Sequence, residues 1–502
     1  MLHDVIIIGC GPVGALAANL LGKSGLSVLV IEKEAAPHPL PRAVHIDHEM
    51  LRLFQSAGVI DPVLPDMRET DGHLHIGADH GVIRYMGTVG KPRPFGWAND
   101  YFFYQPELEA HLRAGFADMA NVELRTGAEF AGVEQQDGIV TVSFTENGVN
   151  QSAQARWTIG CDGSRSPVRK ALGVALDDLD FDEPWLVVDA EVHGPVRFPT
   201  LTGVPMGADL QRLSVMMCDP KRPATIVPGR GNHRRWEFML LPGEDDTEMM
   251  QPQNVAALVG PYLDGVPHEI VRASTYRFHG LVAEQWQVGN VFLAGDAAHQ
   301  TPPFFGQGMC HGFRDVANLA WKMAAILHDG ASPALLESYH PERDPHVRGV
   351  IGAAVAAGRY ICVLDPVEAA ARDADLRVKA DDAEPQTAAD LIPAITTGIV
   401  FAGSAAAGER FIQPLVGDTK LDDVTGGGWR LFVRPPAAVA TGVAVIDASP
   451  FAEIINWLDR NGADAVLVRP DHYVFGTGGA DALLNARSEA LGLAQSELEA
   501  AA

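Results

Sequence analysis

Cysteine is scarce in this chain, five in 502 residues, at Cys10, Cys161, Cys218, Cys310 and Cys362. They lie far apart, none forms a C-x-x-C pair, and their number is odd. That argues against a disulfide-stapled scaffold and a cysteine zinc site, and predicts reduced thiols in a cytoplasmic protein without a bound metal. Basic residues are also short, 38 against 64 acidic ones, for a formal net charge of −26. Such a field repels phosphate backbones and anionic lipid, so neither nucleic acid nor a membrane surface is an expected partner. No uninterrupted apolar run reaches the roughly 18 residues of a membrane span. The apolar N-terminus has no basic leader and is broken by Gly9, Gly11 and Gly14, which argues against a signal peptide. What remains, 47% hydrophobic and 20% charged residues, is ordinary globular composition, long enough for two or three domains.

The glycines that break the first apolar run carry the clearest signal. Val5 to Ile8 reads as a buried parallel strand, followed at once by Gly9-Cys10-Gly11-Pro12-Val13-Gly14, a G-x-G-x-x-G turn. Gly9 permits the tight turn, Gly11 lets backbone approach a pyrophosphate, and Gly14 lets the next helix pack against the strand. Leu16, Leu20 and Leu21 keep helical spacing until Gly25, and Ser27 to Ile31 forms a second strand ending in Glu32. A carboxylate there is placed to bind an adenosine ribose and disfavours a 2′-phosphate. FAD or NAD is therefore the expected dinucleotide.

Two later segments narrow the choice. "TIGCDGSRSPVRKALG" sets Asp162-Gly163 after a short apolar run, with Ser166 and Arg169 following. "VGNVFLAGDAAHQTPPFFGQGMCHGFRDVANLAWKMA" carries a strand into Gly295-Asp296, then a Pro/Gly loop that opens a helix near Met309. With these motifs in order, the chain resembles the class A flavoprotein monooxygenases, the family of para-hydroxybenzoate and phenol hydroxylases, and within it the 3-(3-hydroxyphenyl)propionate hydroxylase group. "PRAVHIDHEMLRLFQSAGV" resembles the family's flavin-edge loop, and "YFFYQPELEAHL" its Gln-Pro segment.

The resemblance implies FAD as cofactor, NADH or NADPH as reductant and O2 as co-substrate. It implies hydroxylation of a small phenol through a flavin C4a-hydroperoxide, in aromatic catabolism. Asp296 would accept from a ribityl hydroxyl; Gly306, Gly308 and Met309 would face the flavin; Arg42 would lie near the pyrophosphate and Gln105 near the ribityl chain or ring. Asp162 belongs to the motif linked to FAD and NAD(P)H, although Asp-Gly by itself reads as a structural turn. Similar enzymes usually have Asn where Cys310 stands; a small packed thiol is the expected reading there. His45 is the candidate base for the phenol, against a structural histidine, with Tyr104 a further option and Pro303 placed with them at the catalytic loop.

The expected architecture is α/β: a Rossmann-like FAD-binding domain (1–176 and 271–365), an inserted, mainly antiparallel β-sheet substrate domain (177–270), a linker or helical extension (366–394), and a thioredoxin-like tail (395–502) without redox cysteines. Packing or an oligomer contact, a homodimer included, is the role left to that tail. Arg212, Arg234 and Arg235 read as cross-strand surface charges in preference to carboxylate ligands. The alternatives carried along are an oxygenase that tailors a larger polyketide-type aromatic and a flavin-binding sensor that hydroxylates nothing. A halogenase would want a W-x-W pair, and none of the eight tryptophans is so spaced; a disulfide reductase would want a partner for Cys10 near the first helix.

Overall fold

The computed structural model describes residues 2–382, 387–434 and 442–493. It is a mixed α/β fold with several sheets. The β-branched N-terminal run forms the strand Leu2–Ile8, central in a sheet whose order is Gln287–Val288, Val291–Leu293, Val149–Gly160, Leu2–Ile8, Val28–Glu32, Val122–Thr126. From Val291–Leu293 to Val122–Thr126 the pairing is parallel. Leu2–Ile8 and Val28–Glu32, at the centre of this sheet, are buried on both faces, as continuous apolar runs require. Ile8, Gly160 and Leu293 stand in register. The three loops that follow them, 9–14, 161–166 and 295–308, therefore leave the same edge of the sheet side by side, although they are far apart in the chain.

The second sheet has eight strands, in the order His299–Gln300, His268–Ala283, Leu176–Val192, His233–Met239, Ala224–Pro228, Leu213–Met217, Gly72–Ile76, Val82–Gly87. Every pairing in it is antiparallel except that of Leu213–Met217 with Gly72–Ile76. The hairpin at 72–87 comes from well upstream of the 177–270 segment. The long strands Leu176–Val192 and His268–Ala283 run together past the parallel sheet, with bulges at Asp178/Asp182 and Asp189/Ala190.

Period-two alternation gives this sheet two distinct faces. Leu74, Leu186, Val188, Val215, Ile226, Trp236 and Phe238 point outward, where Val255, Val259 and Leu263 of the helix Pro252–Leu263 cover them. Trp185, Val187, Met216 and Met239 point inward and join the core that contains Phe304 and Phe305.

Beyond Cys362, the helix Pro366–Asp382 forms most of the segment read as a linker or helical extension; residues 383–386 lie outside the described residues. Arg372 donates to the Cys218 and Tyr360 carbonyls, and Asp373 accepts from the Ala78 N–H, so this helix is docked on the second sheet. The last unit has a four-stranded sheet, Ala444–Asp447, Arg430–Val433, Ala465–Val468, Val474–Gly478, parallel in its first pair only. One face meets the helix Ala452–Arg460. The other packs Trp429, Leu431 and Phe475 against Trp321 and Ala325 of the long helix Gly308–His328. Among the described residues, no helix is long and apolar enough to cross a membrane.

Candidate active site

Glycines set the first loop, for three different reasons. Gly9 takes φ +96°, and a Cβ there would stand 2.5 Å from the Cys161 carbonyl oxygen. At Gly14 a Cβ would lie 2.0 Å from the Gly9 carbonyl oxygen, so the helix Pro12–Lys23 approaches only because that atom is missing. A Cβ on Gly11 would meet nothing within 4 Å. Its side faces open space at a helix N-terminus, as a backbone awaiting a pyrophosphate should. Glu32 accepts from the Cys10 N–H at 2.6 Å and from the Glu34 N–H at 2.8 Å, which leaves lone pairs for a ribose. Arg113, which sequence reasoning missed, donates from Nε and Nη2 to the Cys10 carbonyl and fixes the loop from outside.

The other two loops brace one another. Asp162 accepts from the Ser166 hydroxyl at 2.6 Å and the Val168 N–H at 2.9 Å, so both of its oxygens serve its own turn. Arg169 donates to the Ser164 carbonyl and, across to the third loop, to that of Ala297. Asp315 accepts from the Gly295 N–H and lies 2.7 Å from His299 Nε2, holding the turn that presents Asp296. Asp296 itself opens to the cleft and makes no hydrogen bond among the described residues. Surrounding protein raises its pKa, with His299 and Arg42 opposing. A carboxylate held in such a place, with nothing to accept from, fits a ribityl hydroxyl.

Arg42 is likewise exposed to the cleft. Its own N–H and that of Ala43 donate to Gln105 Oε1, while Gln105 Nε2 donates to Glu109. The Gln105 amide is thus occupied in shaping the Arg42 loop. Together the open Gly11 backbone, the unmet Asp296 carboxylate and the free end of Arg42 fit FAD.

The helix Gly308–His328 begins at the mouth of this cleft, with Gly308 and Met309 in its first turn. A Cβ on Gly312 would come within 2.5 Å of Val13 and 2.9 Å of Gly295, so this helix lies directly against the first and third loops. The Cys310 thiol is fully buried and contacts the Gly306 carbonyl. Burial raises its pKa, which keeps it a packed thiol. Arg314, one turn on, donates to Asp47, Glu49 and Gln307 and ties the flavin-edge segment to the Pro/Gly loop.

His45 stands on the short strand His45–Asp47, against the Pro/Gly loop: a Cβ on Gly306 would lie 2.4 Å from its Nδ1. Its Nε2 is 3.1 Å from Asp100 Oδ1. Burial alone would lower the His45 pKa, but the hydrogen bond and charge of Asp100 raise it above the usual histidine value. His73, on the inner face of the second sheet, packs edge-on to His45 with ring centroids 5.4 Å apart. Burial pushes His73 down to about 4, so it is neutral. The donor atoms of His45, His73 and Asp100 lie within 4.8 Å of one another. We read them as a hydrogen-bonded cluster in which Asp100, 3.1 Å from His45 Nε2, orients the imidazole.

Tyr104 lies elsewhere, its ring against His233 and the Arg230 guanidinium. Pro303 is half-buried in the 3-10 turn Pro303–Phe305, whose two phenylalanines face the second sheet. The surface reading of the arginines is overturned for two of the three. Arg234 and Arg235 are buried, and Arg235 donates to Asp189 and to the Pro41 and Arg42 carbonyls. Arg212, half-buried, pairs with Asp71 at 2.8 Å.

The chain has known relatives over nearly its whole length. A family model described as an FAD binding domain matches residues 3–354. A probable NADH-specific resorcinol 4-hydroxylase of Rhodococcus jostii (strain RHA1) is 35% identical, over 94% of this chain and 91% of its own. A 3-(3-hydroxy-phenyl)propionate/3-hydroxycinnamic acid hydroxylase of Burkholderia vietnamiensis (strain G4 / LMG 22486) is 34% identical, over 94% of this chain and 93% of its own. Among solved structures, the flavin-dependent monooxygenase PieE in complex with FAD and substrate superposes with a TM-score of 0.81 at 23% identity, covering 98% of this chain and 100% of that one. That last likeness is one of fold.

Proposed function

Because the chain belongs to the class A FAD-dependent aromatic monooxygenases, we propose that it hydroxylates a single-ring phenol bearing a substituent meta to the reacting hydroxyl. Resorcinol and 3-(3-hydroxyphenyl)propionate, the compounds in the relatives' names, share that pattern. The observation that carries the reading is the aromatic surface that the Pro/Gly loop and the inner face of the second sheet build beside the His45–Asp100 pair. Phe304, Trp185 and Phe278 form one side of it. Phe305 beneath Arg84, with His75 and Tyr360, forms the other.

FAD, when bound, supplies the transfer of reducing equivalents from NADH or NADPH and the activation of O2. The protein supplies the rest. Gly9, Gly11, Gly14, Glu32, Arg42 and Asp296 would hold the dinucleotide, with Gly306, Gly308 and Met309 on its ring side and Pro303 in the same loop. Gln105 and Asp162 act by shaping the loops around it. The aromatic walls exclude water. His45, oriented by Asp100, takes the phenolic proton.

In this reading residues 1–176 and 271–365 form the FAD-binding domain, 177–270 with the 72–87 hairpin wall the substrate, and 366–394 is a helical extension. The tail, 395–502, is thioredoxin-like in its strand and helix order, packs on the body and contributes to a homodimer of a cytoplasmic enzyme. The test is NADH and NADPH oxidation by the purified flavoprotein against a panel of phenols, with hydrogen peroxide assayed alongside. A meta-substituted phenol that speeds oxidation and yields hydroxylated product with little peroxide is the expected result. Oxidation indifferent to every phenol overturns the reading in favour of a flavin-binding sensor.

A further inference from the structure

Glu237 has no business on a dry sheet face unless something is meant to meet it. It lies mid-strand in His233–Met239 and, by alternation, shares the inward side with Arg235 and Met239. Only 7% of it is exposed, yet it makes no hydrogen bond or ion pair among the described residues. Arg235, the nearest cation on the same side of the strand, is taken by Asp189 at 2.8 Å and by two backbone carbonyls. Opposite Glu237 in register stand Val187 on one side and Thr225 on the other. Thr225 is also buried, and its hydroxyl has no partner among the described residues. Two adjacent, buried, unmet polar side chains thus stand on the sheet face that turns towards Phe304 and Phe305. An unmet buried polar group costs free energy, which a ligand that meets it returns.

Position defines the ligand. Across the same face, three strands away, lies His73 with the His45–Asp100 pair behind it. Three interstrand spacings are about 14 Å between backbones, and side chains on one face stand side by side, roughly perpendicular to the sheet. One aromatic ring hydrogen-bonded at a polar group on each side spans a distance of that order. Arg84, across from His75, is a fourth strand away, about 19 Å from Glu237, so a small ring gripped at the Glu237 end does not reach it.

We propose that Glu237, with Thr225 beside it, is the subsite for the second substituent of the ring, and that it takes a hydroxyl or another neutral hydrogen-bond donor and rejects a carboxylate. This rests on the hydroxylase reading and sharpens it: of the two meta-substituted phenols above, the resorcinol type fits and the propionate type does not. An ionised carboxylate accepts from a hydroxyl with a charge-assisted bond, whereas a substrate carboxylate in a dry pocket meets like charge. A site built to bond a hydroxyl discriminates strongly against the analogue that lacks it.

The experiment measures binding by perturbation of the bound flavin's visible spectrum, without reductant, for resorcinol, phenol and 3-(3-hydroxyphenyl)propionate, and then turnover of the same three. The wild-type flavoprotein is expected to bind resorcinol at least tenfold more tightly than phenol, and the propionate most weakly. Glu237→Leu should close the gap between resorcinol and phenol, and Glu237→Gln should tighten the propionate at least tenfold relative to resorcinol. Equal binding of phenol and resorcinol by the wild type, or tightest binding of the propionate, overturns the proposal without any variant. An unchanged propionate-to-resorcinol ratio in a folded, yellow Glu237→Gln protein overturns it as well. If the binding order holds but no phenol speeds NADH oxidation, the subsite stands and the hydroxylase reading falls.

Discussion

Burial pushes the Glu237 carboxyl up to about 7, with the engaged Arg235 offsetting part of the rise and Asp189 adding to it. The folded state therefore holds this proton more tightly than the unfolded chain, whose value is near 4.5. Its contribution is neutral below pH 4.5 and becomes destabilising as pH climbs through 7, by about 3 kcal/mol in full. Glu237→Gln removes that penalty. In urea denaturation at pH 5 and pH 8, the stability advantage of the variant should widen by about 3 kcal/mol at the higher pH, and an equal gap at both would show that the carboxylate finds a partner. His45 makes a separate prediction at the same scale. A base must be unprotonated to act, and Asp100 holds this one above the usual histidine value. Turnover should rise with pH through a value above 6.5, and His45→Gln should lower it by about 10²- to 10⁴-fold and flatten that limb while FAD stays bound.

At the scale of elements, two glycines three positions apart in the chain but unlike in surroundings separate folding from cofactor binding. Gly11→Ala puts a methyl into open space, so the apoprotein should melt within a degree or two of wild type while FAD affinity, read by flavin fluorescence, falls at least tenfold. Gly14→Ala drives the methyl into the Gly9 carbonyl and should destabilise the apoprotein itself. This strand–turn–helix was legible in the sequence because its contacts are local: Gly9, Gly14 and Glu32 lie within one βαβ unit. The motifs around Asp162 and Asp296 were legible as well, though only as strings; that they stand side by side follows from the register of Ile8, Gly160 and Leu293. The inner face of the second sheet was not legible. Its row of Val187, Glu237, Thr225, Met216 and His75 comes from five strands, and pairing alone decides that they are neighbours. Arg234 and Arg235 looked like surface charges for the same reason, since Asp189 and the Pro41 carbonyl arrive from other elements. The period-two string His73-Leu74-His75-Ile76 was the signal available, with two histidines turned to one side.

For the whole molecule, buried ion clusters join the tail to the body. Arg469 bridges Glu342 and Asp471, with Lys322 at 3.1 Å from Glu342. Arg52 pairs with Asp422 at 2.6 Å, and Asp422 also meets Arg430. Removing one member of such a cluster leaves the others buried and unmatched, so Glu342→Gln should cost about 3–5 kcal/mol. The neighbouring cations Arg469 and Lys322 outweigh burial and hold Glu342 at about 2. This stabilisation is present above pH 4.5 and is lost as pH falls towards 2. Fluorescence of Trp321 and Trp429, which meet edge to face at the junction, should report that loss in acid, and Glu342→Gln should shift it to higher pH. A different consequence follows from the parallel sheet, where Val149–Gly160 pairs with Leu2–Ile8 on one side and with Val291–Leu293 on the other. A ribosome adding about 5–20 residues per second makes the first strand roughly 15–60 seconds before the one that completes its layer. For that interval the layer keeps an open strand edge, and the dinucleotide cleft, which needs all three loops, is not yet complete.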